Sequence, residues 1–184
     1  MGNKSGKVEE LVMEFIIQGV NLIDIPGAPD SRGQFRRLAD SNWIPENFEI
    51  MQTSFSENIQ AGTLRGLHYQ KDQSSEYKIV SLIRGSIFDA LLDLRKNSAT
   101  YKMVSTRKLT AENPQAMVIP PGIAHGFLTL EPNTLIYYAM SAKFDKENYS
   151  GVRWDDPAIK IDWPFSPEVI SDQDRVWPLL NFEV

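Results

Sequence analysis

Apolar residues recur in short runs along most of the chain, alternating with polar positions at a period near two. That period sends successive side chains to opposite faces of an extended strand. The pattern predicts strands over 15–24, 48–54, 64–69, 78–84, 86–94, 102–109, 116–119, 126–130 and 134–144, with Gly, Pro, Asn and Asp clustered between them. Arg84-Gly85-Ser86, between two apolar runs, reads as a hairpin turn carried by its glycine. Many short strands at regular spacing predict an all-β antiparallel sandwich or barrel. Helical signals are confined to a short turn over 40–47 and a capped start at Ser171-Asp172-Gln173-Asp174-Arg175. With no repeat and no Gly/Ser linker, residues 1–184 are expected to form one domain. It would carry an N-terminal β arm, a flexible tail over 1–12 and short C-terminal helical turns.

Composition narrows the function classes. The 184 residues are 42% apolar and 23% charged, an ordinary globular balance, with a net charge of −5. A net-acidic chain lacks the basic footprint of general nucleic-acid binding, although a few arginines can still converge on a small anion. The absence of cysteine removes disulfides, thiolate metal sites and a thiol nucleophile, and fits a reducing, cytoplasmic setting. No apolar run approaches the roughly 20 residues of a membrane span. The N-terminus lacks a signal-peptide core, and Gly6 breaks a myristoylation pattern. Asn148-Tyr149-Ser150 matches a glycosylation acceptor, which without a secretion signal is read as chance.

Imidazole chemistry is restricted to His68 and His125, each beside a glycine-marked bend in a predicted strand. The plain reading of either is a structural histidine with satisfied ring nitrogens. Alternation places 66, 68 and 70 on one face, so Arg65 joins His68 only if Gly66 makes a bulge. Pro120-x-Gly122-x-x-His125 is the second half of a cupin pattern. The first half would supply His-x-His, but this chain reads His68-Tyr69-Gln70. Two histidines without a third ligand make a poor metal site, so acid–base chemistry without a metal is expected.

Longer motifs occur in one order and spacing: Arg65-Gly66-Leu67-His68-Tyr69-Gln70, Lys78-Ile79-Val80, Gly85-Ser86-Ile87-Phe88-Asp89, 93–100, 111–113, Ile119-Pro120-Pro121-Gly122-Ile123-Ala124-His125-Gly126-Phe127 and Trp154-Asp155-Asp156-Pro157. Over roughly residues 15–180 the chain resembles the dTDP-4-dehydrorhamnose 3,5-epimerase family. The resemblance implies a cupin-like jelly roll, a homodimer, no cofactor or metal, and a nucleoside-diphosphate 4-keto-deoxyhexose as substrate. It assigns His68 as base, Asp174 as its supporting carboxylate, Lys78 beside the ketone oxygen and Tyr138 as the acid on the opposite side of the ring. It further implies substrate contacts at His125, Gln52, Gln70 and Phe35, and diphosphate contacts at Arg65 and Arg32. Tyr138 rather than its neighbour Tyr137 is taken from the spacing to His125.

Each role has a structural alternative: Asp174 as a helix cap, Lys78 as a solvated edge lysine, the arginines as surface ion pairs. The chain also departs from the family pattern. Arg37 stands where Glu is usual, Ser54 where Asn is, Ser81 where Arg is, and Lys143-Phe144 where a Tyr pair is. The resemblance implies that most of these positions shape the nucleotide or sugar pocket rather than transfer protons, so the base, the sugar or the number of centres inverted can differ. Two rivals are a sugar-nucleotide ketoisomerase, against which Tyr138 argues, and a non-catalytic sugar-nucleotide-binding module.

Overall fold

The computed structural model describes residues 17–42, 44–46 and 48–180. The expected tail over 1–12, the first part of the 15–24 strand, and Trp43 and Asn47 of the 40–47 turn lie outside the described residues. In chain order the strands are β1 (Asn21–Asp24), β2 (Ala28–Asp30), β3 (Gly33–Phe35), β4 (Gln52–Asn58), β5 (Thr63–Gln70), β6 (Lys78–Arg84), β7 (Ser86–Asp93), β8 (Val104–Thr110), β9 (Gln115–Ile119), β10 (Ile123–Thr129), β11 (Thr134–Met140), β12 (Tyr149–Gly151) and β13 (Val169–Ile170). One short helix, α1 (Asp172–Val176), follows.

The strands form two facing sheets of a cupin-like jelly roll. One has the order β1-β9-β6-β11-β4; the other runs β12-β5-β10-β7-β8, with β13 also paired to β5. The hairpin β2-β3 pairs only with itself. Between the sheets lies a buried cluster of Val80, Leu82 and Ile136 from the first and Ile87, Leu91 and Phe127 from the second. Burying such side chains contributes about 1.5–3 kcal/mol each. Alternation decides which residues enter it. On β11, Ile136 and Tyr138 face this core, while Ala139 and Tyr137 face a second cluster with Phe48 behind the sheet.

The strands expected over 64–69, 78–84, 86–94 and 116–119 match the observed ones closely. The described part of the 15–24 run is strand only from Asn21, because residues 17–20 turn at Gly19 (φ 83°). The strand expected over 126–130 begins at Ile123, and β12 and β13 were not expected. The 102–109 run starts late because Lys102 has φ 68°, a turn conformation. The 134–144 run stops at Met140, and Phe144 lies in a loop whose amide donates to Gln52 Oε1 at 3.0 Å. The strand expected over 48–54 runs instead over Gln52–Asn58, because Phe48 anchors a loop in the outer cluster. Strands β2 and β3 escaped the pattern because they carry Pro29 and glycine and bury nothing.

The 93–100 motif is a knot at the end of β7. The Asp93 carboxylate accepts from Arg95 Nε at 2.9 Å, Ser98 Oγ at 2.6 Å and Thr100 Oγ1 at 2.7 Å. Burial works against the charged Asp93, but these hydrogen bonds outweigh it and hold the carboxyl far below the usual carboxylate range.

Candidate active site

The site begins at an irregularity between β5 and β10. His125 pairs with His68, but two residues later Phe127 pairs with Arg65, so two positions on β5 oppose Gly126 alone. This is a bulge, and it needs glycine on both sides. Gly66 has φ 121°, and a Cβ there would stand 2.4 Å from the Gly126 Cα; one on Gly126 would stand 2.9 Å from the Arg65 carbonyl. The extra residue turns Arg65 to the same cavity as His68, while Leu67 packs outside with Leu92 and Val152.

The outer edge of β5 is covered by two short strands with a gap between them. β12 pairs with 68–70 and β13 with 63–64. Helix α1 delivers Asp174 to that gap. Ser171 caps the helix, its side chain accepting from the Asp174 amide at 3.1 Å. The Asp174 carboxylate accepts from His68 Nε2 at 2.5 Å, Trp177 Nε1 at 3.0 Å and the Gly66 amide at 3.4 Å. Burial would raise Asp174, but the His68 hydrogen bond and charge, with Trp177 and Gly66, hold it below the usual range. An ionised carboxylate fixes the His68 proton on Nε2. The other ring nitrogen, Nδ1, has no hydrogen-bond partner among the described residues and is available as a lone pair.

The facing sheet supplies the other groups. Tyr138 on β11 and Lys78 on β6 line one cavity with His68, Arg65, His125 and Tyr149, with a volume of about 260 Å³. It shares His68, Lys78, Tyr138 and Tyr149 with a cavity of about 320 Å³ edged by Gln52, Ser54 and Phe144. A third, of about 460 Å³, runs along Arg65 and Gln173 beside β13. Burial pushes the Tyr138 phenol well above its ordinary value, and the Asp89 carboxylate adds to this; Arg65 and a hydrogen bond with Ser56 offset part of it. The phenol is therefore protonated at neutral pH, as a proton donor must be. His125 forms a second carboxylate pair, Nε2 to Asp89 Oδ2 at 2.6 Å, both residues being buried. Among the described residues no three His, Asp or Glu side chains converge as a metal-ligand set.

The remaining sequence candidates fall into two groups. Gln52 and Gln70 line the cavity, but Gln70 is occupied by the protein. Its Nε2 reaches Ser74 O, Glu76 Oε2 and Lys143 O at 3.1–3.2 Å, and its Oε1 accepts from the Asp145 amide at 2.6 Å. Gln70 thus ties two loops to the cavity wall. Arg32 and Phe35 line none of these cavities. Arg32 is 88% exposed and paired with Asp30, and Phe35 is 64% exposed on the β2-β3 hairpin. Of the departures from family pattern, Arg37 is exposed near Asp40, and Ser81 is buried behind the sheet without a partner for its hydroxyl among the described residues.

Among the residues that escaped the sequence reading are Tyr149 and Glu76, which line the cavities, and Trp177, which donates to Asp174. The Tyr149 ring lies tilted against His68, with centroids 5.2 Å apart, and edge to face with Trp177 at 5.8 Å. Its segment carried a signal, the Asn-Tyr-Ser tripeptide, that pointed to different chemistry. Trp177 was legible only as a residue after a helix. Glu76 lies two positions before Lys78 in an irregular loop, where no periodicity shows which way a side chain points.

Comparison with known proteins places the fold that carries this site. The family model for dTDP-4-dehydrorhamnose 3,5-epimerase matches residues 14–181. The chain is 38% identical to the dTDP-4-dehydrorhamnose 3,5-epimerase of Methanothermobacter thermautotrophicus over 170 residues, 90% of this chain and 91% of that one. The Bacillus anthracis enzyme of that name, solved with TDP and PPi bound, superposes with a TM-score of 0.85 at 33% identity, over 91% of this chain and 98% of that chain. The dTDP-6-deoxy-D-glucose-3,5-epimerase of Legionella pneumophila, in complex with dTDP-4-keto-L-rhamnose, superposes with a TM-score of 0.84 at 31% identity, covering 92% of each chain. By the match over nearly its whole length and the jelly roll that carries it, this chain belongs to the dTDP-4-dehydrorhamnose 3,5-epimerase family.

Proposed function

We propose that the chain inverts C3, C5 or both of a nucleoside-diphosphate 4-keto-6-deoxyhexose, by removing a proton on one face and returning one on the other. The observation that carries this reading is that His68 and Tyr138 come from opposite sheets and line one cavity with Lys78. The C4 ketone acidifies the hydrogens on C3 and C5, and loss of either leaves an enolate. His68, oriented by Asp174, takes the proton. The Lys78 ammonium meets the negative charge that develops on the C4 oxygen. Tyr138 donates a proton from the far side, and the centre inverts. In a gluco-configured chair the C3 and C5 hydrogens are both axial on the same face, so one base and one acid serve both centres.

Arg65 is the cavity arginine suited to the diphosphate. Arg32 and Phe35 fit the substrate through a second copy of the chain. An exposed hairpin bonded only to itself, carrying a guanidinium and an exposed aromatic ring, is suited to reach across a homodimer interface into the partner's cavity. The absence of any helix among the described residues long and apolar enough to cross a membrane is compatible with a cytoplasmic enzyme. The test is exchange in heavy water with dTDP-4-keto-6-deoxyglucose. Deuterium entering C3 or C5 supports the reading; none entering with any nucleotide 4-ketosugar discards it, and a shifted carbonyl in the product indicates the ketoisomerase instead.

A further inference from the structure

Among the ionisable groups on the cavity wall for which the reaction above has no use is a carboxylate, Glu76. Its side chain is 11% exposed and faces both the main cavity and a small hollow shared with Lys78 and His125. Its two oxygens are treated differently. Oε2 accepts from Gln70 Nε2 at 3.2 Å, and Gln70 is itself clamped to Ser74, Lys143 and Asp145. Oε1 stands 3.6 Å from Lys78 Nζ, a charge-to-charge distance longer than a hydrogen bond. The carboxylate is thus anchored through one oxygen and attracts the ammonium with the other, without taking up its donors. Lys78 has four rotatable bonds and would sample several rotamers if this attraction were absent.

The geometry points to Glu76 as the positioning residue that holds the Lys78 ammonium at the place where the C4 oxygen of the substrate develops charge. This deepens the epimerase reading and rests on it. It also gives the cleft a polarity. A carboxylate fixed on one wall repels phosphate, so the diphosphate lies on the Arg65 side and only the neutral, hydroxyl-bearing part of the substrate passes Glu76. Burial raises the Glu76 carboxyl, and Lys78 and Gln70 pull it back, in keeping with a carboxylate whose charge depends on its two partners.

The test is a double-mutant cycle on full-length protein with a second, substrate-free readout. Glu76→Gln keeps the Gln70 contact and removes the charge. It is expected to lower the turnover number for heavy-water exchange about 10-fold, with KM nearly unchanged. Lys78→Met lowers it further, and adding Glu76→Gln to Lys78→Met costs nothing more. Independently, the 13C resonance of reductively methylated Lys78, assigned by its loss in Lys78→Arg, should move in Glu76→Gln. Equal losses on both backgrounds, a rise in KM alone, or an unmoved Lys78 resonance would each overturn the assignment. If the wild-type protein exchanges no ketosugar, the epimerase reading fails on its own, and the resonance alone decides whether Glu76 positions Lys78.

Discussion

His68 and Asp174 stand 106 positions apart in the chain, yet their side chains meet at 2.5 Å. The contact exists because β12 and β13 cover opposite ends of β5 and leave the middle of its edge for α1. Asp174→Asn keeps the shape but removes the charge that fixes the His68 tautomer. Turnover is expected to fall roughly 10²–10⁴-fold, with binding of thymidine diphosphate retained in a thermal-shift assay. Loss of both together would mean that Asp174 only supports the fold.

Tyr138 and Tyr137 provide an internal control, since adjacent strand positions face opposite ways. In Tyr138→Phe, deuterium is expected to enter the substrate while inversion is lost, because the base still works and the opposite-face donor is gone. Tyr137→Phe should leave both intact. NMR of the recovered sugar separates exchange from inversion, and equal behaviour of the two variants would remove Tyr138 from its role.

The bulge sets a steric prediction. In Gly66→Ala the new Cβ meets the Gly126 backbone at 2.4 Å, in a conformation that L side chains avoid. A loss of at least about 2 kcal/mol of stability is expected, together with displacement of Arg65 and His68. Urea unfolding measures the first; a normal midpoint would show that the seam has room to spare.

Asp93 predicts a pH dependence of stability unconnected with catalysis. Its carboxyl is depressed in the folded protein, so its stabilisation is complete above the unfolded value of about 3.9. That stabilisation falls away as pH drops through the lower folded value. Asp93→Asn should cost about 3 kcal/mol at pH 7, and the gap to wild type should narrow below about pH 4. A gap independent of pH would mean that packing, not charge, holds the knot.

Much of this was legible in the residues, for reasons that are local. Alternation over 134–140 follows from strand geometry and put Tyr137 and Tyr138 on opposite faces, while the spacing to His125 chose Tyr138 as the inward one. Gly66 between Arg65 and His68 permitted a bulge, because glycine tolerates that backbone, and the packed sheets decided that one forms. The order of the motifs marked the family, and Ser171 marked the start of the helix that carries Asp174.

What only the tertiary structure decided concerns groups whose direction no local rule sets. Glu76 and Tyr149 reach the cavity from a loop and a three-residue strand, too short to show a period. Gln70 looks like a ligand-binding amide in sequence, but loops that close over it satisfy both ends of that amide. Arg32 and Phe35 were expected at the substrate from the motif order, yet they stand on an exposed hairpin away from the described cavities, and no local rule shows where such a hairpin lies. Strand period and glycine conformation are properties of a few consecutive bonds and can be read along the chain. Which carboxylate meets which imidazole or ammonium depends on how distant segments are brought together, and that is determined by the packed sheets as a whole.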